Sequence, residues 1–299
     1  MSYKTNLFVI LTILSGLLFL IPTTVFATDN YRGTALNFDG VDDYVEILDD
    51  TSLDFNTSYT LECWIRPESF DYLAGLITKY HTTQGFILRL SGNSPYSGIG
   101  FDDMETDTGI LNAYHWYHIA AVNDNGTRHV YVNGIEQTLS GTPITFTPNN
   151  DPVCLGVDYL SSPRYFEGQM DEVRIWNVAR TETQINDKMN TFLSGTETGL
   201  VSYYQLNEGS GITANDPINS NNGTLTNMTE DDWIPSSVPI GVGGTISTDT
   251  VWDAETINVI SDITINDGVT LTINPGTTVY FQDYYALYVQ GRLLAEGTE

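Results

Sequence analysis

Short runs of alternating apolar and polar residues, separated by turn residues, repeat along most of this chain. Leu36 and Phe38 are apolar in one run, Val45 and Ile47 in the next, and the intervening Asp39-Gly step is typical of a turn. Alternation with a period of two places apolar side chains on one face of a β-strand, and helical periodicity is almost absent. The sequence therefore predicts an all-β protein built as an antiparallel β-sandwich.

One short helix is predicted outside the sheets. Thr181 can cap its first turn, and Gln184 lies three residues later, as a capping box requires. The helix is expected to extend to Met189 and to carry no chemistry.

Five segments of the chain, taken in order, resemble the strands of laminin-G-like domains in the concanavalin A-like superfamily. The resemblance covers residues 33–190. It implies a jelly-roll sandwich of the kind that usually binds a ligand rather than catalysing a reaction. The segments are Ala35–Ile47, Tyr59–Pro67, His115–Val122, His129–Gly134 and Gly168–Arg180.

The first 27 residues have the composition of a secretory signal peptide. Lys4 precedes an apolar stretch from Leu7 to Ile21, and the small-residue sequence that ends at Ala27 fits a cleavage site. A retained membrane anchor is the alternative, which the polar and helix-breaking residues in and after the stretch disfavour. We expect a secreted or cell-surface protein with no transmembrane anchor after cleavage.

The formal net charge is −27 at pH 7, with 38 acidic residues against 11 Lys and Arg. Binding to nucleic acid requires basic side chains that contact the phosphates, so this composition argues against nucleic acid as a partner. An anionic membrane is disfavoured for the same reason. Most of the carboxylates are expected to serve solubility alone.

Cys63 and Cys154 are the two cysteines of the chain. In an exported protein they can form a disulfide, which would close a loop of about 90 residues and contribute about 4–5 kcal/mol in chain-entropy models. Two buried free thiols are the alternative, because both cysteines lie in apolar strand contexts. The sequence leaves both possibilities open.

The sandwich is predicted to occupy residues 28–233, with 199–233 as a C-terminal extension, and residues 234–249 to form a linker rich in Pro and Gly. In residues 250–299, apolar pairs begin every eight residues, which is a repeat signature. This part resembles the opening rungs of right-handed parallel β-helices from bacterial surfaces, and a hairpin meander is the alternative. Because a stable array needs more units and a cap, we expect an incomplete β-helix in a fragment of a longer protein. The pairs are Ile263/Ile265, Leu271/Ile273, Val279/Phe281 and Leu287/Val289.

The resemblance also implies a calcium ion at an edge of the sandwich. Members of the superfamily often hold one with an acidic residue near the first strand and another near the last. Those positions match Asp39 and Asp171, and Asp42 and Asp43 are weaker candidates. Hard cations prefer several oxygen ligands, which a turn can supply. The alternative is that Asp39 only caps a turn and Asp171 is solvated at a strand edge.

A glycan-binding surface is predicted on loops rich in Gly, Ser and Asn. An aromatic ring there can stack on the apolar face of a sugar while polar neighbours bind its hydroxyls. Trp64, Trp116 and Trp176 are instead assigned to strands and predicted to lie in the core. The loop candidates are Tyr72, Tyr80, His81, Tyr96, Tyr159 and Tyr165.

The sequence shows no catalytic arrangement. Its four histidines form no His-Glu-x-x-His motif, and His118 matches a position that is often a structural histidine in the family. The Glu-x-Asp-x-x-Glu strand of the related β-glucanases is missing. We therefore predict a noncatalytic module that recognises an extracellular polysaccharide or glycoprotein with the help of calcium. The alternatives are the substrate-binding part of a polysaccharide-degrading enzyme with a catalytic β-helix beyond residue 299, and a structural spacer of an adhesin.

Overall fold

The chain divides into two compact units, one of residues 30–239 and one that contains residues 240–299. In the part of the chain that the structure describes, no helix is long and apolar enough to span a bilayer. The signal peptide predicted for residues 1–27 lies outside that part and stays a prediction. The computed structural model describes residues 33–55, 57–71, 73–81, 84–92, 97–144, 147–158, 163–238, 241–252, 256–281 and 285–295.

The unit of residues 30–239 contains two antiparallel β-sheets that share one apolar core. In chain order its strands are β1 (Thr34–Asp39), β2 (Tyr44–Ile47), β3 (Ser58–Pro67), β4 (Gly75–His81), β5 (Gln84–Ser91), β6 (Gly98–Phe101), β7 (Met104–Thr106), β8 (Tyr117–Asp124), β9 (Thr127–Val132), β10 (Ile135–Gln137), β11 (Leu139–Gly141), β12 (Val153–Leu155), β13 (Glu167–Trp176), β14 (Leu200–Tyr204), β15 (Thr213–Ala214), β16 (Gly223–Thr226) and β17 (Trp233–Pro235).

Among the described residues, the first sheet has the strand order β10-β9-β8-β3-β13-β1-β17, and β14 also pairs with β13. The second sheet has the order β11-β7-β6-β5-β4-β12-β2-β16-β15. The prediction of an all-β protein with antiparallel sheets is confirmed, and the arrangement is consistent with a jelly-roll sandwich.

The apolar residues that alternate with polar ones in the sequence are the residues that form the core. Leu36 and Phe38 on β1, and Val45 and Ile47 on β2, are at most 1% exposed and lie in one apolar cluster. Burying a side chain of this size contributes about 1.5–3 kcal/mol relative to leaving it in water. Because a slip of one residue would turn each of these side chains to the opposite face, the core fixes the strand register and the position of the loops.

Of the two possibilities left open for Cys63 and Cys154, the structure shows the second, because both cysteines are free and buried. Cys63 lies on β3 in the first sheet and belongs to the core. Cys154 lies on β12 in the second sheet between Val153 and Leu155, which face the core, so its thiol points to the opposite face. The backbone of the second sheet separates the two thiols, and they cannot meet the geometry of a disulfide.

The predicted helix is confirmed as α1, Glu182–Lys188. The backbone N–H of Gln184 donates to Thr181 Oγ1 and the backbone N–H of Thr181 donates to Gln184 Oε1, which completes the capping box. Ile185 packs against Ala120 and Val122 of β8. The helix therefore covers the outer face of the first sheet at β8.

The predicted linker of residues 234–249 is wrong at both ends. β17 pairs with β1 at the edge of the first sheet, and Pro235 is tolerated there because an edge strand needs no donor on its outer side. Ser236 then donates a hydrogen bond to Asp171 on β13. At the far end, residues 242–246 form a strand of the second unit.

In the described part of the second unit the strands pair only in parallel. Leu271 lies opposite Leu293, and Ile263 opposite Leu287. The hairpin meander is therefore wrong for these strands, whereas a continued β-helix stays a prediction. The strands are β18 (Val242–Ile246), β19 (Thr250–Trp252), β20 (Thr256–Ile265), β21 (Thr270–Ile273), β22 (Thr278–Phe281), β23 (Leu287–Val289) and β24 (Arg292–Ala295).

Candidate functional site

The turn of residues 39–43, between β1 and β2, gathers three carboxylates and is called the acidic turn below. Asp39 Oδ1 accepts hydrogen bonds from the backbone N–H groups of Val41 (2.8 Å) and Asp42 (3.2 Å), and Asp43 Oδ2 accepts one from the N–H of Asp39 (3.1 Å). Gly40 has a φ of +74°, and a Cβ there would lie 2.7 Å from a neighbouring side chain, so the turn requires glycine. One ligand oxygen from each aspartate lies within 4.8 Å of the others.

The carboxylates of the acidic turn repel one another. Asp39 and Asp42 are exposed, whereas Asp43 is 5% exposed. Burial raises the pKa of Asp43 to about 6, the hydrogen bond from Asp39 partly offsets this, and the charges of Asp39, Asp232 and Asp42 raise it further. No ion pair between described residues involves the acidic turn. A hard divalent cation would supply the opposite charge, and carboxylate oxygens are its preferred ligands.

Asp171, the second calcium ligand expected from the sequence, does not reach the acidic turn. Asp39 lies opposite Glu167, four residues before Asp171, which is about 13 Å along a strand. The buried carboxylate of Asp171 accepts hydrogen bonds from Ser236 Oγ and from the N–H of Glu172. Burial and then the charge of Glu172 hold the pKa of Asp171 well above its usual value. The structure does not assemble a ligand pair from Asp39 and Asp171, and Asp171 instead fastens the segment that follows β17.

Tyr165, one of the predicted glycan contacts, lies beside the acidic turn. It is partly exposed and forms an isolated β-bridge with Val157. Glu167, two residues later, lies directly opposite Asp39, so the strand register brings Tyr165 near the turn. Burial raises the pKa of its phenol, and the charges of Tyr44, Asp42 and Asp39 raise it further. Its ring is therefore positioned where it can stack on a sugar whose hydroxyls reach a cation in the turn.

Backbone hydrogen bonds join the start of β4, the end of β5 and the segment before β13. The backbone N–H of Leu90 donates to the carbonyl of Ala74 (2.8 Å), and the N–H of Gly75 donates to the carbonyl of Arg164 (3.2 Å). His81 ends β4 at the opposite end from Gly75 and lies away from these hydrogen bonds. Tyr72, Tyr96 and Tyr159, three of the predicted glycan contacts, lie outside the described residues.

Two arginines near these hydrogen bonds belong to no sequence motif. Arg89 on β5 pairs with Asp103 (3.0 Å), and Arg164 pairs with the buried Asp158. Burial raises the pKa of Asp158, while Arg164 and Arg89 lower it. Arg89 lies between two core-facing leucines, so the two-residue period of the strand predicts that it points outward. The same period does not predict its pairing with Asp103.

Trp116 is not a core residue, and its assignment to a strand is wrong. It is partly exposed in the loop before β8, and its indole N–H donates to Ser237 Oγ (2.9 Å). Tyr114 in the same loop is 57% exposed, has a φ of +65°, and its ring centroid lies 5.3 Å from the guanidinium of Arg66. Two aromatic rings are thus exposed beside the end of β3. Trp64 and Trp176, the other two tryptophans predicted to lie in the core, are buried.

Another group of charged residues is buried under the segment that carries α1. Glu62 pairs with Arg180, and His118 Nε2 lies 3.4 Å from Glu62 Oε2. Burial alone would raise the pKa of Glu62, but His118, Arg180 and Arg174 outweigh it and lower the pKa to about 2. Arg174 also pairs with Glu172 (2.8 Å). Because these groups face one another and are shielded from solvent, they hold this segment against the first sheet.

Residues 39–186 match the family described as the concanavalin A-like lectin/glucanases superfamily. The structure also resembles a Bacteroides ovatus protein proposed to bind carbohydrate, with 27% sequence identity and a TM-score of 0.54 over 68% of this chain. The matched part spans 62% of that protein. No match is found among curated proteins.

Two further solved structures are less similar. A SAP-like pentraxin from Limulus polyphemus is 16% identical, with a TM-score of 0.40, and the match covers 52% of this chain and 81% of the pentraxin. Domain 4 of the extracellular arabinanase AbnA from Geobacillus stearothermophilus, solved with arabinotriose, is 22% identical, with a TM-score of 0.36, and the match covers 54% of this chain and 90% of that domain.

Proposed function

We propose that the concanavalin A-like domain of this chain, residues 39–186, binds carbohydrate outside the cell with the help of calcium. The family and the resemblance to the Bacteroides ovatus protein support carbohydrate binding at the coarse level. Calcium and export are the finer parts of the proposal. They rest on the acidic turn and on the signal peptide expected from the sequence.

The observation that carries the proposal is the acidic turn beside Tyr165. Calcium takes about 6–8 oxygen ligands, so three aspartates would leave coordination positions for backbone carbonyls, water or sugar hydroxyls. A cation held by Asp39, Asp42 and Asp43 would offset their repulsion. The ring of Tyr165 would then contact the apolar face of the same sugar.

The proposed role is recognition without catalysis. Glycosidases place two carboxyl groups on either side of a glycosidic bond, about 5–5.5 Å apart in retaining enzymes and further apart in inverting ones. Asp43 has a raised pKa, as a catalytic acid would. Its carboxylate, however, is buried in the turn and already accepts a hydrogen bond from the N–H of Asp39, so it is not presented to a sugar.

A glycan array probed with the purified chain, once with calcium and once with chelator, tests the proposal. We expect binding to a defined glycan class that the chelator abolishes and that Asp39→Asn and Asp42→Asn weaken. Asp107→Asn is the matched control, because Asp107 is an exposed aspartate in another loop.

If a folded sample binds no glycan on the array, the result would overturn carbohydrate binding and favour a spacer in an adhesin. Binding that persists in chelator and in both variants would overturn the role of calcium and leave carbohydrate binding in place.

A further inference from the structure

A row of polar side chains crosses three neighbouring strands of the first sheet. Asn37 on β1 lies opposite Gln169 on β13, and Gln169 lies opposite Arg66 on β3. Residues directly opposite on antiparallel strands point to the same face, with their Cβ atoms about 5 Å apart. All three are partly exposed, and because the sequence neighbours on the core side are buried, the row faces outward. Those core-facing neighbours are Leu36, Phe38, Met170 and Ile65.

Trp116 continues the row beyond the third strand. Ile65 lies opposite Tyr117, so the next position, Arg66, aligns with Trp116 just before β8 begins. The exposed ring of Tyr114 packs on the guanidinium of Arg66 from the same loop. Asn37, Gln169, Arg66 and Trp116, called the polar row below, therefore present two amides, a guanidinium and an indole over about 14 Å.

The side-chain amides of the polar row are available to hydrogen-bond a ligand. Within the described ranges neither Asn37 nor Gln169 uses its side-chain amide in a hydrogen bond to the protein. Each amide offers one acceptor oxygen and two donor hydrogens, which match the hydroxyls of a sugar, since a hydroxyl both donates and accepts. The indole of Trp116 supplies an apolar face on which a sugar ring can stack.

The charge of the surroundings selects among glycans. Arg66 is paired with Glu68 at 2.9 Å, so the row carries a donor fork without a free positive charge. The chain as a whole has a net charge of −27 and repels polyanions. Uronate-rich or sulfated chains are therefore disfavoured, and neutral chains are favoured.

We infer that the polar row is a binding subsite for an extended neutral polysaccharide, which lies across β1, β13 and β3 with one sugar ring on Trp116. This subsite rests on the proposed carbohydrate binding and names the surface and the glycan class. Asn37 lies two residues before Asp39, so one polysaccharide can contact the row and the acidic turn together.

Affinity gel electrophoresis of the full chain tests the subsite. The neutral probes are laminarin, galactan, arabinan and galactomannan, and the acidic probe is polygalacturonate. We expect retardation by a neutral probe, and a loss of affinity of about 3- to 10-fold for Asn37→Ala and for Gln169→Ala, since each removes hydrogen bonds between neutral groups. Asn150→Ala is the matched control, because Asn150 carries an exposed amide in the loop before β12, a strand of the second sheet.

The variants Asn37→Ala and Gln169→Ala remove no hydrogen bond within the described protein, so wild-type melting temperatures are expected and folding is not in question. A wild-type chain that no probe retards and that binds no glycan on the array overturns the proposed function and the subsite together, whereas a chain that binds on the array but is retarded by no neutral probe overturns the subsite alone. Retardation of the wild type that both alanine variants retain in full overturns the subsite alone. Stronger retardation by polygalacturonate than by the neutral probes overturns the glycan class.

Discussion

Ser236 Oγ donates a hydrogen bond to the carboxylate of Asp171, which lies 65 residues earlier in the chain and is buried on β13. This contact explains why an aspartate that matches a calcium position in the sequence serves a different purpose. Its partner is a hydroxyl from the segment after β17, and the acidic turn is four strand positions away.

Replacing Asp171 is expected to change stability without changing the response to calcium. Asp171→Ala leaves the Ser236 hydroxyl without its acceptor, and we expect a loss of about 1–3 kcal/mol in the free energy of unfolding. Thermal melts with calcium and with chelator measure both effects. If Asp171→Ala abolished a calcium-induced shift in melting temperature that Asp39→Ala left intact, the assignment of calcium to the acidic turn would be wrong.

Asp43→Asn is expected to stabilise the calcium-free protein at neutral pH by about 1–2 kcal/mol, because it removes a buried charge among like charges and keeps the acceptor oxygen for Asp39 N–H. Since folding raises the pKa of Asp43 from 3.8 to about 6, the folded state holds a proton there that the unfolded chain has released. Stability without cation should therefore fall as pH rises from about 4 to 6.

Urea unfolding at several pH values, with chelator present, measures this dependence. The slope should disappear in Asp43→Asn and persist in the control Asp107→Asn. Calcium binding should weaken below pH 6, because the ion must displace the proton from Asp43. A calcium affinity that does not change between pH 5 and pH 7 would count against the site.

Arg180→Met is expected to cost about 3–5 kcal/mol, because it leaves the buried carboxylate of Glu62 without its closest cationic partner. Since the pKa of Glu62 falls from 4.5 to about 2 on folding, its contribution is present above pH 4.5 and is lost as pH falls toward 2. The exposed pair of His129 and Glu136 is the control, and Glu136→Gln should cost at most about 1 kcal/mol. Chemical denaturation measures the free energy of unfolding of both variants. A similar loss in the two would contradict the stabilising role of the buried network.

Two free thiols are expected in the unfolded chain and none that reacts readily in the folded one. Burial raises the pKa of Cys154 to about 12 and that of Cys63 further, so the reactive thiolate is scarce. Thiol titration with and without denaturant, in the absence of reductant, measures this directly. A count of zero after denaturation would restore the disulfide.

The parts of the fold that follow from local rules could be predicted from the sequence. The alternation of Leu36 and Phe38 determines which face of β1 is buried, and the spacing of Thr181 and Gln184 determines where α1 begins. The signal for Trp116 was ambiguous, because an aromatic residue next to an alternating run looks like part of the strand until the hydrogen bonds place the strand start at the next residue.

The site depends on strand pairing, which the sequence does not reveal. Asn37, Gln169 and Arg66 are more than 100 positions apart at their extremes and become neighbours only through the register of β1, β13 and β3. The separation of Asp171 from Asp39 follows from the same register. Whether Cys63 and Cys154 can meet depends on the face that each strand turns inward, which in turn depends on the pairing of two different sheets.

The antiparallel pairing of β17 with β1 also has a mechanical consequence. Thr34 lies opposite Pro235, and the backbone N–H of Ser236 donates to the carbonyl of Gly33, so the chain enters and leaves the sandwich at adjacent points. A tensile load on these two points would pull perpendicular to the strands and break their hydrogen bonds one after another instead of all together. Ser236 lies between β17 and the exit point, so its contact with Asp171 is expected to bear the load first, and β17 is then expected to separate from β1.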